Sequence, residues 1–189
     1  MQDAVEILLI TGPAGIGKST VCWEIGAQLA AANMPHVVIE TDELDRVFPR
    51  PTAEELSVLR PGTTDVSALN LAAMWETYHA LGHTRLVMSG VMMHLQFDRQ
   101  WILSAIPGGR ITAIRLLGSE STLAKRLDQR EIGSGRDEQV HRSLRQLKRM
   151  SGEPPGTFIV VPTDDKSPTE LAQIVLQKVG WSQPGSPNR

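Results

Sequence analysis

Apolar residues along the chain fall into two patterns, short unbroken runs and longer periodic stretches. The short runs are Val5 to Ile10, His36 to Glu40, Thr84 to Ser89, Ile111 to Leu117 and Thr157 to Val161. Near-continuous apolar runs of strand length are what strands buried on both faces of a parallel sheet require. Between them, helical patterns cover about Lys18 to Ala32, Val66 to Leu81, Gln96 to Ala105, Thr122 to Glu131, Glu138 to Met150 and Thr169 to Val179. Pro168 with Thr169 suits a helix start and Gly180 a helix stop. Strands alternating with helices predict an α/β fold, a parallel sheet covered on both faces. The stretch from Trp181 to Arg189, rich in Pro, Gly and Ser, is expected to be a loose tail. No internal repeat or low-complexity block interrupts the pattern.

Composition narrows this little. A chain of 189 residues suits one such domain, taken here as 1–180. A net charge of −2 supplies no general attraction to nucleic acid or to an anionic membrane, so neither is expected as a partner. The distribution is more informative: residues 1–60 hold nine carboxylates against four bases, and 110–150 hold ten bases against five carboxylates. The basic block reads either as solvated helix faces or as a flap over phosphates. Cys22 is the single cysteine, and neither a leader-like start nor an apolar run of membrane length is present, so a reducing cytoplasm is the expected compartment.

Gly12-Pro13-Ala14-Gly15-Ile16-Gly17-Lys18-Ser19 matches G-x-x-x-x-G-K-[ST], after a predicted strand and before a predicted helix. Glycines let backbone N–H groups converge on phosphate oxygens, and the helix that follows adds the positive end of its dipole. Gly12, Ala14, Gly15, Ile16, Gly17, Lys18, Ser19 and Thr20 are the expected nucleotide contacts. In this pattern Lys18 reaches the β- and γ-phosphates and Ser19 ligates Mg²⁺.

Asp42 and Asp45 follow the second strand, at the sheet edge where open α/β sheets bind ligands. A carboxylate there can take a proton from an attacking hydroxyl. Together with the phosphate loop, the segments Asp42 to Asp45, Arg126 to Arg130 and Val161 to Glu170 make the chain resemble the P-loop kinase superfamily, which includes gluconate, shikimate, adenylate and adenylylsulfate kinases, chloramphenicol phosphotransferase and zeta-type toxins. The resemblance implies a five-stranded parallel sheet in the order 2-3-1-4-5 with a helical lid at about 126–150. It also implies ATP and Mg²⁺ as cofactors and transfer of the γ-phosphate to a small-molecule acceptor. Asp42 becomes the candidate base and, with Ser19, a candidate metal contact. Arg126 is expected against adenine and Arg130 on the transferring phosphate, while Arg136, beside Gly133 and Gly135, is expected to close with the lid. Arg142, Arg145 and Arg149 share one helix face, which points either to the phosphates or to water. The segment Val161 to Glu170 is the expected adenine-side loop. It lacks the N/T-K-x-D pattern that would read guanine, which favours ATP over GTP.

The third strand ends Val87-Met88-Ser89-Gly90, without the acidic residue that P-loop ATPases commonly place there. That departure keeps a second reading open, a nucleotide-binding switch or weak ATPase, and the zeta-type resemblance keeps a third, a toxin acting on a nucleotide sugar. For the acceptor, the residues to watch are Asp42, Asp45, Arg50, Arg60 and His94. Trp75 and Tyr78 fit a helix core better than a pocket. His79 and His83 lack the further ligand that a metal site needs, and Cys22 is expected to be buried and inert.

Overall fold

The computed structural model describes residues 4–130, 136–154 and 156–182, with the side chains of Gln129, Arg130 and Arg136 outside that description. At its centre is β1 (Glu6–Thr11), hydrogen-bonded in parallel to β3 (Arg85–Gly90) on one side and β4 (Arg110–Leu117) on the other. β2 (Val37–Glu40) and β5 (Ile159–Pro162) complete the sheet in the order β2-β3-β1-β4-β5, the order that the resemblance implied. Leu8 and Ile10 point to one core and Ile7 and Leu9 to the other, all at most 1% exposed. A central strand with both faces covered therefore reads as an unbroken apolar run.

The first core is roofed by α1 (Lys18–Ala31), α5 (Glu120–Arg130), α6 (Arg136–Ser151) and α7 (Pro168–Lys178). The second is roofed by α3 (Val66–Ala80) and α4 (Leu95–Ala105). Two short elements have no counterpart in the sequence reading: a 3₁₀ turn at Thr41–Glu43 and α2 (Ala53–Leu59). α2 opens on a capping box between Thr52 and Glu55, but Leu56 is its one buried residue, so it lacks the periodic stripe by which a helix is recognised. Trp75 is buried, with the His79 ring 5.9 Å away, and Tyr78 meets His83 edge-on at 6.0 Å. The two histidines thus lie against aromatic rings. Burial pushes the Cys22 thiol up to about 12, which makes it a poor nucleophile.

Two details depart from simple expectation. Arg115, one of the ten bases in the basic block, belongs to no flap. It is fully buried on β4, paired with Glu153, and its guanidinium lies 4.2 Å from the centre of the Phe158 ring. Trp181, which the sequence assigns to the tail, is 6% exposed and packs into the first core, with its backbone N–H on the Leu176 carbonyl at 2.9 Å. Trp181→Ala should therefore cost about 3 kcal/mol, as large-to-small changes in a core do, read as a lower denaturation midpoint in urea.

Candidate functional site

All five strands run the same way, so the loops at their carboxyl ends gather along one edge of the sheet, where open α/β sheets form their clefts. The loop after β1 turns on glycines at positive φ: Gly15 at 79° and Gly17 at 101°. At Gly15 a Cβ would lie 2.4 Å from Leu127 Cδ2, so the missing side chain also lets α5 pack directly on the loop. Gly17 then starts α1 with no side-chain cap and no acidic residue in the first turn, whereas α2, α3 and α7 are each capped by a side chain. Helix N-termini need partners for their first N–H groups, and an uncapped one favours an anion. Lys18 Nζ donates to the Pro13 carbonyl at 3.0 Å, inside the same loop.

Ser19 Oγ donates to Glu40 Oε2 at 2.9 Å, and the Trp23 indole donates to the other oxygen of that carboxylate at 3.1 Å. The carboxylate on the loop hydroxyl is thus Glu40, the last residue of β2, and not Asp42. A hydroxyl and a carboxylate side by side are the hard oxygen donors that suit Mg²⁺, which takes few protein ligands and keeps phosphate and water oxygens as the rest.

A cleft of about 310 Å³ runs from loop residues 15–19 to Arg126, Lys166 and Pro168. Arg126 donates from Nη1 to the Ile16 carbonyl at 2.7 Å and to Thr163 Oγ1 at 3.2 Å, and from Nη2 to the Thr163 carbonyl at 3.2 Å. It therefore ties the phosphate loop to the loop between β5 and α7. Asp164 closes the same wall by accepting the Ser119 N–H on both oxygens at 3.0 Å. The Thr122 hydroxyl and the Ser119 N–H hold its carboxyl below the usual range.

On the other side, a shallow cavity of about 500 Å³ is walled by Asp42, Asp45, Arg46, Val47, Phe48 and Arg50. Asp45 accepts from Arg50 Nη2 at 2.6 Å, and Arg46 pairs with Glu43 at 3.0 Å, so both bases of this wall are engaged by their own loop. Phe48 is 96% exposed above it. The turn carrying Asp42 packs on the end of β3, where a Cβ at Gly90 would sit 2.4 Å from Thr41 Oγ1. Beyond that end stands His94, with Arg149 Nη2 3.3 Å from its Nδ1. Arg142 pairs with Glu138, and Arg145 is exposed. Arg60 is set apart, lining a separate cavity with Trp101 and Ser104. The expected lid contacts Arg130 and Arg136 lie, as side chains, outside the described residues.

Sequence reading missed three residues. Glu40 had a signal, its position at the end of β2. Trp23, 66% exposed one turn into α1, and Gln146, whose Oε1 accepts the Ala14 N–H at 2.9 Å, had none.

The fold and the loop define a class: this is the fold of the P-loop small-molecule kinases. The tunicamycin resistance protein of Deinococcus radiodurans superposes with a TM-score of 0.61 at 17% identity, over 94% of this chain and 97% of that one. A gluconokinase from Sinorhizobium meliloti 1021 does so at 0.55 and 23%, over 92% and 93%. The APS kinase of Mycobacterium tuberculosis, solved with AMPPNP and APS, gives 0.55 and 16%, over 94% and 98%. No protein-family model matches the sequence, and no curated protein matches it significantly. Among the described residues no helix is long and apolar enough to cross a membrane.

Proposed function

We propose that the chain is an ATP-dependent phosphotransferase that moves the γ-phosphate to a hydroxyl or phosphate of a small-molecule acceptor. The observation that carries this reading is the pairing of an uncapped α1 N-terminus with Ser19 on Glu40, beside a second carboxylate, Asp42, that faces a separate cavity. The nucleotide's phosphates would lie on the loop N–H groups, with Lys18 leaving the Pro13 carbonyl for the β- and γ-phosphates. Arg126 and the loop from Thr163 to Lys166 would border the base. Ser19 and Glu40 are the groups that would hold Mg²⁺, which there would draw charge from the β- and γ-phosphates. Asp42 would accept the proton of the attacking hydroxyl as its oxygen bonds to the γ-phosphorus and the bond to the bridging β,γ-oxygen breaks, releasing ADP. Because Asp45 and Arg50 neutralise each other, their role would be to shape the acceptor wall. His94, with Arg149, would border the acceptor from the β3 side.

The test is incubation with ATP, Mg²⁺ and a panel of sugars, nucleosides, phosphorylated metabolites and hydroxyl-bearing antibiotics, with mass spectrometry of the products. A gain of one phosphoryl group by an acceptor supports the reading. Tight nucleotide binding with no acceptor product would instead favour a nucleotide-binding switch, a reading that Ser89 at the end of β3, in place of an acid, keeps in view. Glu40→Gln should lower the apparent affinity for Mg²⁺ by about tenfold, the effect of losing an oriented oxygen near a metal. Magnesium titrations of ATP affinity would measure it.

A further inference from the structure

The Pro13–Ala14 peptide is gripped from both ends. Its carbonyl accepts Lys18 Nζ at 3.0 Å, and its N–H donates to Gln146 Oε1 at 2.9 Å. The two groups of a trans peptide point in opposite directions within its plane, so Lys18 and Gln146 hold opposite edges of the peptide. The assignment of the Gln146 amide follows from chemistry, since a backbone N–H can only donate and the atom facing it must be the oxygen. Gln146 lies 132 residues from Ala14 and belongs to α6, the helix that returns from the lid region. One turn further on, Arg149 of the same helix reaches His94, the residue that precedes α4 in the loop after β3. Leu147 and Met150 hold α6 in place, each at most 4% exposed. Thus one helix touches the phosphate loop with one side chain and the acceptor-side loop with another.

We propose that Gln146 couples α6 to the phosphate loop: it is the positioning residue through which occupancy of the loop is transmitted to the lid helix, and along α6 to the His94 side of the cleft. The proposal rests on nucleotide binding at the loop, as in the function proposed above, and needs no phosphoryl transfer. When phosphates draw Lys18 away from the Pro13 carbonyl, one restraint on that peptide is lost, while the Ile16 N–H on the same carbonyl at 3.3 Å and the Gln146 bond remain. The peptide's new setting is then imposed on α6. By linkage, the position of α6 must bias the affinity of the loop by the same factor.

Hydrogen exchange of the full chain with and without ATP and Mg²⁺ tests this, reading loop residues 12–19 and helix residues 137–150 separately. The native chain should show slower exchange in both segments. In Gln146→Met, which keeps the length of the side chain but has no oxygen, the loop should still be protected and the response of α6 should disappear. Gln146→Glu keeps an acceptor and should restore the response of α6, which loss of packing alone would not explain. A native chain with a protected loop and an unresponsive α6, or a Gln146→Met chain that responds like the native one, overturns the coupling and leaves the nucleotide reading intact. Protection of neither segment by ATP overturns both.

Discussion

Lys18→Ala is expected to reduce phosphoryl transfer by about a thousandfold while weakening ADP binding by only about tenfold. The difference follows from where charge develops. In the ground state the ammonium contributes one charge-assisted hydrogen bond among several loop donors, on the order of 1.5 kcal/mol or somewhat more. In transfer, negative charge grows on the bridging oxygen as the γ-phosphoryl departs, and a positioned donor in a site shielded from water gains most at that moment, with losses of about 10²–10³ in turnover on its removal. The structure adds a control. Lys18 rests on the Pro13 carbonyl of its own loop, so its removal leaves the fold's cores untouched, and the denaturation midpoint should hold. Calorimetric titration with ADP, beside a product assay, would separate the two effects. Equal losses in both would mean that Lys18 contributes uniform binding and no selective stabilisation of the transition state.

Asp42→Asn should lower turnover by about 10²–10⁴, the contribution of a positioned general base, with ATP affinity unchanged. Asp42 faces the cavity of about 500 Å³ and not the nucleotide cleft, and the carboxylate on Ser19 is Glu40, so removing the charge at Asp42 should leave the nucleotide in place. Glu40→Gln should give the opposite signature, in which excess Mg²⁺ restores activity. Asp45→Asn weakens only the pairing of a half-buried carboxylate with the exposed Arg50 and should change the acceptor KM more than kcat, since an ion pair open to water on one side contributes little stability. Steady-state kinetics on the three variants at several Mg²⁺ concentrations would sort them. An Asp42→Asn enzyme with native turnover would move the base elsewhere, with His94 the next group to test.

The contrast between Glu40 and Asp42 shows how far local signals reach. The phosphate loop and the burial of Trp75 and Cys22 could be anticipated because each depends on nearby residues or on the polarity of a whole element, whereas the sheet order came from the resemblance to the P-loop kinases. A Gly-rich turn between strand and helix carries its own geometry, and a strand with two covered faces must be apolar along its length. The carboxylate on the Ser19 hydroxyl depends instead on how β2 lies beside α1, which decides whether the last residue of the strand or the second residue after it meets Ser19. Likewise, α2 is signalled only by its Thr52–Glu55 capping box, and Trp181 reads as tail because the core that covers it is built mostly from residues far from it in sequence.

The amino-acid sequence alone thus determined the class of fold, the phosphate loop and the place of Asp42 and Asp45 after the second strand, because periodicity, turn chemistry and motif spacing are properties of contiguous residues. Tertiary structure alone decided which carboxylate meets Ser19, that Arg126 joins two loops instead of standing free, that Arg115 is buried, and that Gln146 reaches Ala14 across the molecule. The physical reason is that a side chain's partner at long range is set by the packing of sheet against helix, to which residues far apart in sequence contribute jointly and which no single stretch of the chain encodes.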